Sequence, residues 1–153
     1  MTLLPYLFFI CASLLAGIIG AVFTLDQIPT WYASLTKPSW TPPDFLFGPV
    51  WNVLYVMMGI AAGLVWTRGT FGRFFVIWFF LAHLMVNALW SVAFFGLHEL
   101  LLSLWIIGLL WVLIVILIGL FARHSKLAAW LMVPYLLWVS YAMTLNVGIL
   151  FLN

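Results

Sequence analysis

The sequence predicts an all-α membrane protein, a five-transmembrane-helix bundle with an ordered long loop between helices one and two. Three observations carry this expectation. Of the 153 residues, 68% are apolar and only 5% are charged, against about half and about a quarter in soluble domains. The apolar residues fall into five blocks, each about 20 residues long, which at about 1.5 Å rise per residue covers about 30 Å of hydrocarbon. These blocks, near 5–24, 45–66, 73–95, 100–121 and 127–150, use nearly the whole chain, so a single domain over 1–153 is expected, with no room for a soluble head.

The first block follows no basic residue and is closed by no clear small-residue cleavage site before Asp26, so it reads as a retained helix rather than a signal peptide. Its lone Cys11 excludes an intrachain disulfide. The loop after it, residues 25–44, is the one long connection, and loops of this length are usually functional or disordered. Disorder is not expected here: Trp31, Tyr32, Leu35 and Trp40 stand beside Pro29, Pro38, Pro42 and Pro43, a stretch stiffened by fixed φ angles and carrying rings that favour burial. An ordered lid over one mouth of the bundle is the expectation.

Helix two opens behind Thr41, Pro42 and Pro43, with Pro49 a second start signal, because a first turn does not need proline's missing N–H. Its end is marked by Thr67, Arg68 and Gly69. Gly59 and Gly63 in helix two, like Ala16 and Gly20 in helix one, are spaced for close backbone approach, within the chain or in a homodimer. Helix three carries His83, Asn87 and Ser91 on one stripe, with Trp90 beside it. Helix four has Ser103 as its one polar residue and is expected to face lipid, whereas Pro134 should free a carbonyl and bend helix five. The short connections between later helices imply antiparallel neighbours.

Arg68, Arg73, Arg123 and Lys126 lie at one end of the bundle, and Lys37, Asp26, Asp44 and Glu99 at the other. Positive charge accumulates on the cytoplasmic side, so the N-terminus is expected inside, in a prokaryotic envelope membrane. A net charge of +2 is far from the dense basic surface that nucleic acid requires.

Polar groups at membrane depth are expected to face the bundle interior. Trp51, Tyr55, Met58 and Ala62 of helix two share a stripe, as do Tyr135, Trp138, Ala142 and Asn146 of helix five, so three helices turn aromatic and amide groups toward one centre. Asn52, Asn87 and Asn146 also suit interhelical hydrogen bonding. Trp66, Trp105 and Trp130 suit interfacial belts. Trp51 and Trp138 are better placed to border a cavity. His83 reads as a satisfied interior histidine, because His98 and His124 lie in connections at opposite ends and no metal set can be assembled. No Ser/His/Asp set or paired carboxylate is available for acid–base catalysis.

The series Trp31-Tyr32-x-x-Leu35-x-Lys37-Pro38-x-Trp40-x-Pro42-Pro43, then Phe47-x-Pro49-Val50-Trp51-x-x-Leu54-Tyr55, resembles the translocator protein family, also called tryptophan-rich sensory proteins or peripheral-type benzodiazepine receptors. Asn87-x-x-Trp90-Ser91-x-x-Phe94-Phe95 and Pro134-Tyr135-x-x-Trp138-x-x-Tyr141-Ala142-x-x-Leu145-Asn146 extend the likeness over essentially the full chain. The resemblance implies a receptor or carrier, with a sensing or transport role, that binds porphyrins and other tetrapyrroles in a pocket inside the bundle. Benzodiazepine-type ligands and, in some members, cholesterol are further ligands it implies. By carry-over the ligand-binding residues are Tyr32, Pro42, Trp51, Tyr55, Asn87, Trp90, Trp138 and Ala142, under a lid that includes Trp31, Lys37, Pro38, Trp40 and Pro43. The porphyrin is a ligand, and no cofactor is required. Sterol is the weakest ligand, because no Lys or Arg follows Tyr141 where the sterol-linked pattern needs one. The resemblance also leaves open an enzyme that degrades porphyrin with light and oxygen, using Trp51 and Trp138.

Overall fold

The computed structural model describes residues 3–68 and 71–153. Five helices carry the fold: α1 (Leu4–Thr24), α2 (Phe47–Thr67), α3 (Arg73–Ser91), α4 (Leu100–His124) and α5 (Lys126–Leu152). Each, alone or with its flanking turn, is long and apolar enough to cross a membrane. Gly69, read from sequence as the close of helix two, lies outside the described residues. Arg68 serves as the C-cap of α2, its N–H bonding to the Leu64 carbonyl. Helix α3 starts behind Gly72, whose φ of 83° is left-handed and suits glycine. The Ser125 hydroxyl caps α5 by accepting from the Ala128 N–H. Helix α5 runs unbroken through Pro134, an exposed residue.

The helices close into a ring in the order α1, α2, α5, α4, α3. This corrects the expectation that every short connection joins packed neighbours. Helices α2 and α3 are antiparallel but share little contact, because α1 wedges between them on one side and they otherwise meet across the interior. A short turn sets the direction of the next helix, and side-chain fit decides what it packs against.

The α1–α2 seam shows that fit. A Cβ at Gly59 would strike the Ile10 backbone, and one at Gly63 would strike Tyr6. In lipid, with no hydrophobic drive between apolar helices, close van der Waals approach is a main source of cohesion. The Gly59/Gly63 step is thus occupied within the chain and is not a free face for a second protein.

Toward the end holding Arg68, Arg73, Arg123 and Lys126 the bundle is solid, with Met58, Val65, Phe80, Phe121 and Met132 fully buried. Toward the other end it opens, and the long loop lies across the opening. Trp105 and Trp130 are exposed, as belt residues should be, whereas Trp66 is half-buried against Phe9, with the Arg73 guanidinium over its ring.

Candidate functional site

The opening is a cavity of about 430 Å³, within the range of sites that hold small organic molecules. Helices α1, α2, α3 and α5 and the long loop build it, and no described residue of α4 reaches it. Seven of the eight residues assigned to ligand binding line it: Tyr32, Trp51, Tyr55, Asn87, Trp90, Trp138 and Ala142. Pro42 does not, being half-buried in the loop just before the turn Asp44–Leu46.

The stripes explain the convergence. Trp51 and Tyr55 are one turn apart on α2 and stack with ring centroids 5.5 Å apart at 27°. Trp90 stacks on Phe94 at 5.3 Å and 23°, and its indole N–H donates to the Asn146 side-chain oxygen at 3.1 Å. That bond ties α3 to α5, and the Ser103 hydroxyl of α4 lies 3.1 Å from the same oxygen. Met58 and Ala62, further along the α2 stripe, belong to the solid part of the bundle and not to the cavity.

A hydrogen-bonded chain forms the floor. The Tyr55 hydroxyl donates to Asn87 Oδ1 at 2.7 Å, and Asn87 Nδ2 donates to the Tyr135 hydroxyl at 2.9 Å. The Tyr135 oxygen lies 2.9 Å from His83 Nε2, and His83 Nδ1 lies 3.1 Å from the Phe80 carbonyl. A carbonyl only accepts, so Nδ1 carries the imidazole proton, and Nε2 accepts from Tyr135. Every member is satisfied and α2, α3 and α5 are pinned together. His83 is therefore an interior structural histidine, and Asn87 both joins helices and faces the cavity. Asn52 departs from the sequence reading: it borders the cavity and makes no interhelical bond among the described residues. The buried indole N–H of Trp138 has no acceptor among the described residues, leaving one unpaired donor in the cavity wall.

The long loop is ordered and anchored at several points. A π-helical turn, Ile28–Tyr32, starts it. Trp31 stacks on His98 at 4.1 Å and 12° and packs edge-on against Phe94 and Phe95. Tyr32, 4% exposed, points its ring into the cavity wall. Burial, then the Asp44 carboxylate, then Tyr141, push its phenol up to about 12. The Lys37 ammonium donates to the Tyr32 carbonyl at 2.9 Å and lies 4.3 Å from the centre of its ring. The Asn153 side chain brackets the Thr36 backbone, accepting from its N–H and donating to its carbonyl, both at 2.9 Å. Pro38 packs on Gly148, and the Tyr141 hydroxyl donates to the Trp40 carbonyl at 2.6 Å. Trp40 and Pro43 are otherwise exposed.

Sequence reasoning missed several walls of the cavity. Gly17, Gly20 and Ala21 of α1 form one side of the cavity, where Gly17 lets the Tyr55 ring lie against the α1 backbone and Gly20 admits the Ser91 hydroxyl. Phe94 and Phe95 both face inward because α3 continues as a π-helical turn, Val92–Gly96, whose wider period brings adjacent residues to one side. The Trp-x-x-x-Phe-Phe run itself was the available signal.

No group of three or more His, Cys, Asp or Glu suited to a metal ion occurs among the described residues. The chain matches the TspO/MBR family over residues 9–152. It is 45% identical to the tryptophan-rich protein TspO of Chlorobaculum tepidum, over 92% of this chain and 90% of the relative. It is 32% identical to a tryptophan-rich sensory protein of Cereibacter sphaeroides, over 97% and 90%, and 34% identical to the human translocator protein, over 93% and 86%. With five membrane-length helices around an aromatic cavity, and a match that runs through all of them, this chain is a multi-pass integral membrane protein belonging to the TspO/MBR family.

Proposed function

We propose that the chain is a membrane receptor or carrier for a porphyrin or a related flat, apolar ligand, held in the cavity beneath the long loop. The observation that carries this reading is the wall itself: three indoles, Trp51, Trp90 and Trp138, face one space together with Tyr55, Phe94 and Phe95. Stacking on ring faces, with a few amide and indole donors to set orientation, is the chemistry a tetrapyrrole offers. The names of relatives, a sensory protein and translocator proteins, favour a sensing or transport role. The basic end of the bundle favours an inside N-terminus.

The test is an absorbance and tryptophan-quenching titration of the purified protein with protoporphyrin. The expected result is saturable binding, weakened about twofold to fivefold by Trp51→Phe or Trp138→Phe, since each variant keeps a ring and forfeits only part of the about 0.5–1.5 kcal/mol that an aromatic pair contributes. Unchanged titrations in both variants would rule out this cavity as the site.

A second reading, breakdown of bound porphyrin under light and oxygen, draws on Trp51 and Trp138 bordering the same space. It predicts bleaching to a discrete product that disappears when both indoles are replaced.

A further inference from the structure

We infer that the groove between the start of α3 and the end of α4 is a binding site for an anionic phospholipid, whose phosphate pairs with Arg123 while its apolar part lies on the neighbouring phenyl rings. The groove sits at the basic end of the bundle, opposite the cavity beneath the long loop, so its occupancy is independent of the function proposed above.

Phe71, Phe75 and Val76 form one wall of this groove, and Leu120, Arg123 and His124 the other, around a volume of about 470 Å³. Phe71 and Phe75 are exposed. Arg123, in the last turn of α4, is exposed too, and it makes no hydrogen bond, ion pair or ring contact among the described residues. Arg73, by contrast, is already engaged: its guanidinium donates to the Trp66 carbonyl at 3.2 Å and lies over the Trp66 and Phe74 rings. Arg68, Arg73, Arg123 and Lys126 all stand at this end, and the three acids, Asp26, Asp44 and Glu99, at the other. No carboxylate side chain of the chain therefore competes for Arg123. The dipole of α4 accounts for a cation in its last turn, but it leaves the two exposed rings across the groove unexplained.

An anionic phospholipid satisfies both features. A planar guanidinium matches phosphate oxygens in pairs, and basic pockets between membrane helices suit acidic headgroups. An apolar patch rimmed by polar groups suits a membrane component. A small soluble anion would leave the rings uncovered, and a zwitterionic lipid brings its own cation beside the phosphate.

The test is native mass spectrometry of the purified chain in uncharged detergent, with phosphatidylglycerol and phosphatidylcholine of matched acyl chains supplied in equal amounts. The expected result is a preference of about fivefold for phosphatidylglycerol as the first bound lipid, equivalent to about 1 kcal/mol for one basic residue at a headgroup. Arg123→Gln should abolish the preference, and because Arg123 is exposed and unpaired its replacement leaves the bundle intact. Lys126→Gln removes the same charge at the same end but outside the groove, and should keep the preference. Phe75→Ala should lower the occupancy of both lipids. Inorganic phosphate at millimolar concentration should displace neither.

Equal losses of preference in Arg123→Gln and Lys126→Gln would assign the effect to the net charge of this end and overturn the inference. So would a wild-type chain without preference, a Phe75→Ala variant that binds as wild type, or displacement by phosphate, which would make the groove an anion site only. The porphyrin titration is a separate readout, so each of these results leaves the proposed function standing.

Discussion

Replacing Tyr135 by Phe removes a single oxygen that has no contact with the cavity, yet it should cost more stability than any other change of that size in the bundle. The Tyr135 hydroxyl accepts from Asn87 and donates to His83, both at 2.9 Å, and the residue is fully buried. Phe preserves the ring and its edge-on contacts with Trp51 and His83, so no cavity penalty enters. The loss is two interhelical hydrogen bonds. Such bonds in membrane bundles average about 0.6 kcal/mol and reach about 1.7, which gives about 1–3 kcal/mol. Tyr55→Phe removes only the bond to Asn87 and should cost about 0.6–1.7 kcal/mol. The double variant should lose less than the sum, because Asn87, freed of both partners, can turn its amide toward the cavity. Reversible unfolding in mixed micelles titrated with sodium dodecyl sulfate, followed by circular dichroism, measures all three. Nitrogen NMR of His83 should report a proton on Nδ1 in the parent protein. A Tyr135→Phe variant as stable as its parent, or strictly additive losses in the double variant, would refute the linked chain described above.

The α1–α2 seam gives a second prediction. Gly59→Leu must push α1 away from the Ile10 backbone and should destabilise the bundle by several kcal/mol, as overpacking of about 1–3 kcal/mol is compounded by lost contacts along the seam; a variant that unfolds like wild type but changes oligomeric state would contradict the intrachain assignment. The third concerns pH. The Tyr32 phenol is raised to about 12 in the folded protein from about 10 when unfolded, so above pH 10 the unfolded chain loses a proton that the folded one retains. Its contribution to stability is complete below pH 10 and falls as pH rises from 10 toward about 12. The difference in absorbance at 295 nm between wild type and Tyr32→Phe should show that late titration, and a midpoint near 10 would contradict it.

The sequence alone was enough for the five spans, the order of the lid and the ring-bearing stripes, because each depends on local quantities: apolar length, proline spacing and the helical period. Trp51, Tyr55, Asn87, Trp90, Trp138 and Ala142 could be found that way, since a residue's place on a helix face follows from its number. Which faces meet is a different matter. The wedge of α1 between α2 and α3, the use of Gly59 and Gly63 against Ile10 and Tyr6, and the seating of the Tyr55 ring on Gly17 and the Ser91 hydroxyl on Gly20 all arise from how closely two surfaces fit. Pro42 was drawn into the site by its motif, and the path of the loop keeps it out. Tertiary structure also decided the polarity of the hydrogen-bonded floor, because it depends on distances between atoms far apart along the chain, and no periodicity encodes those.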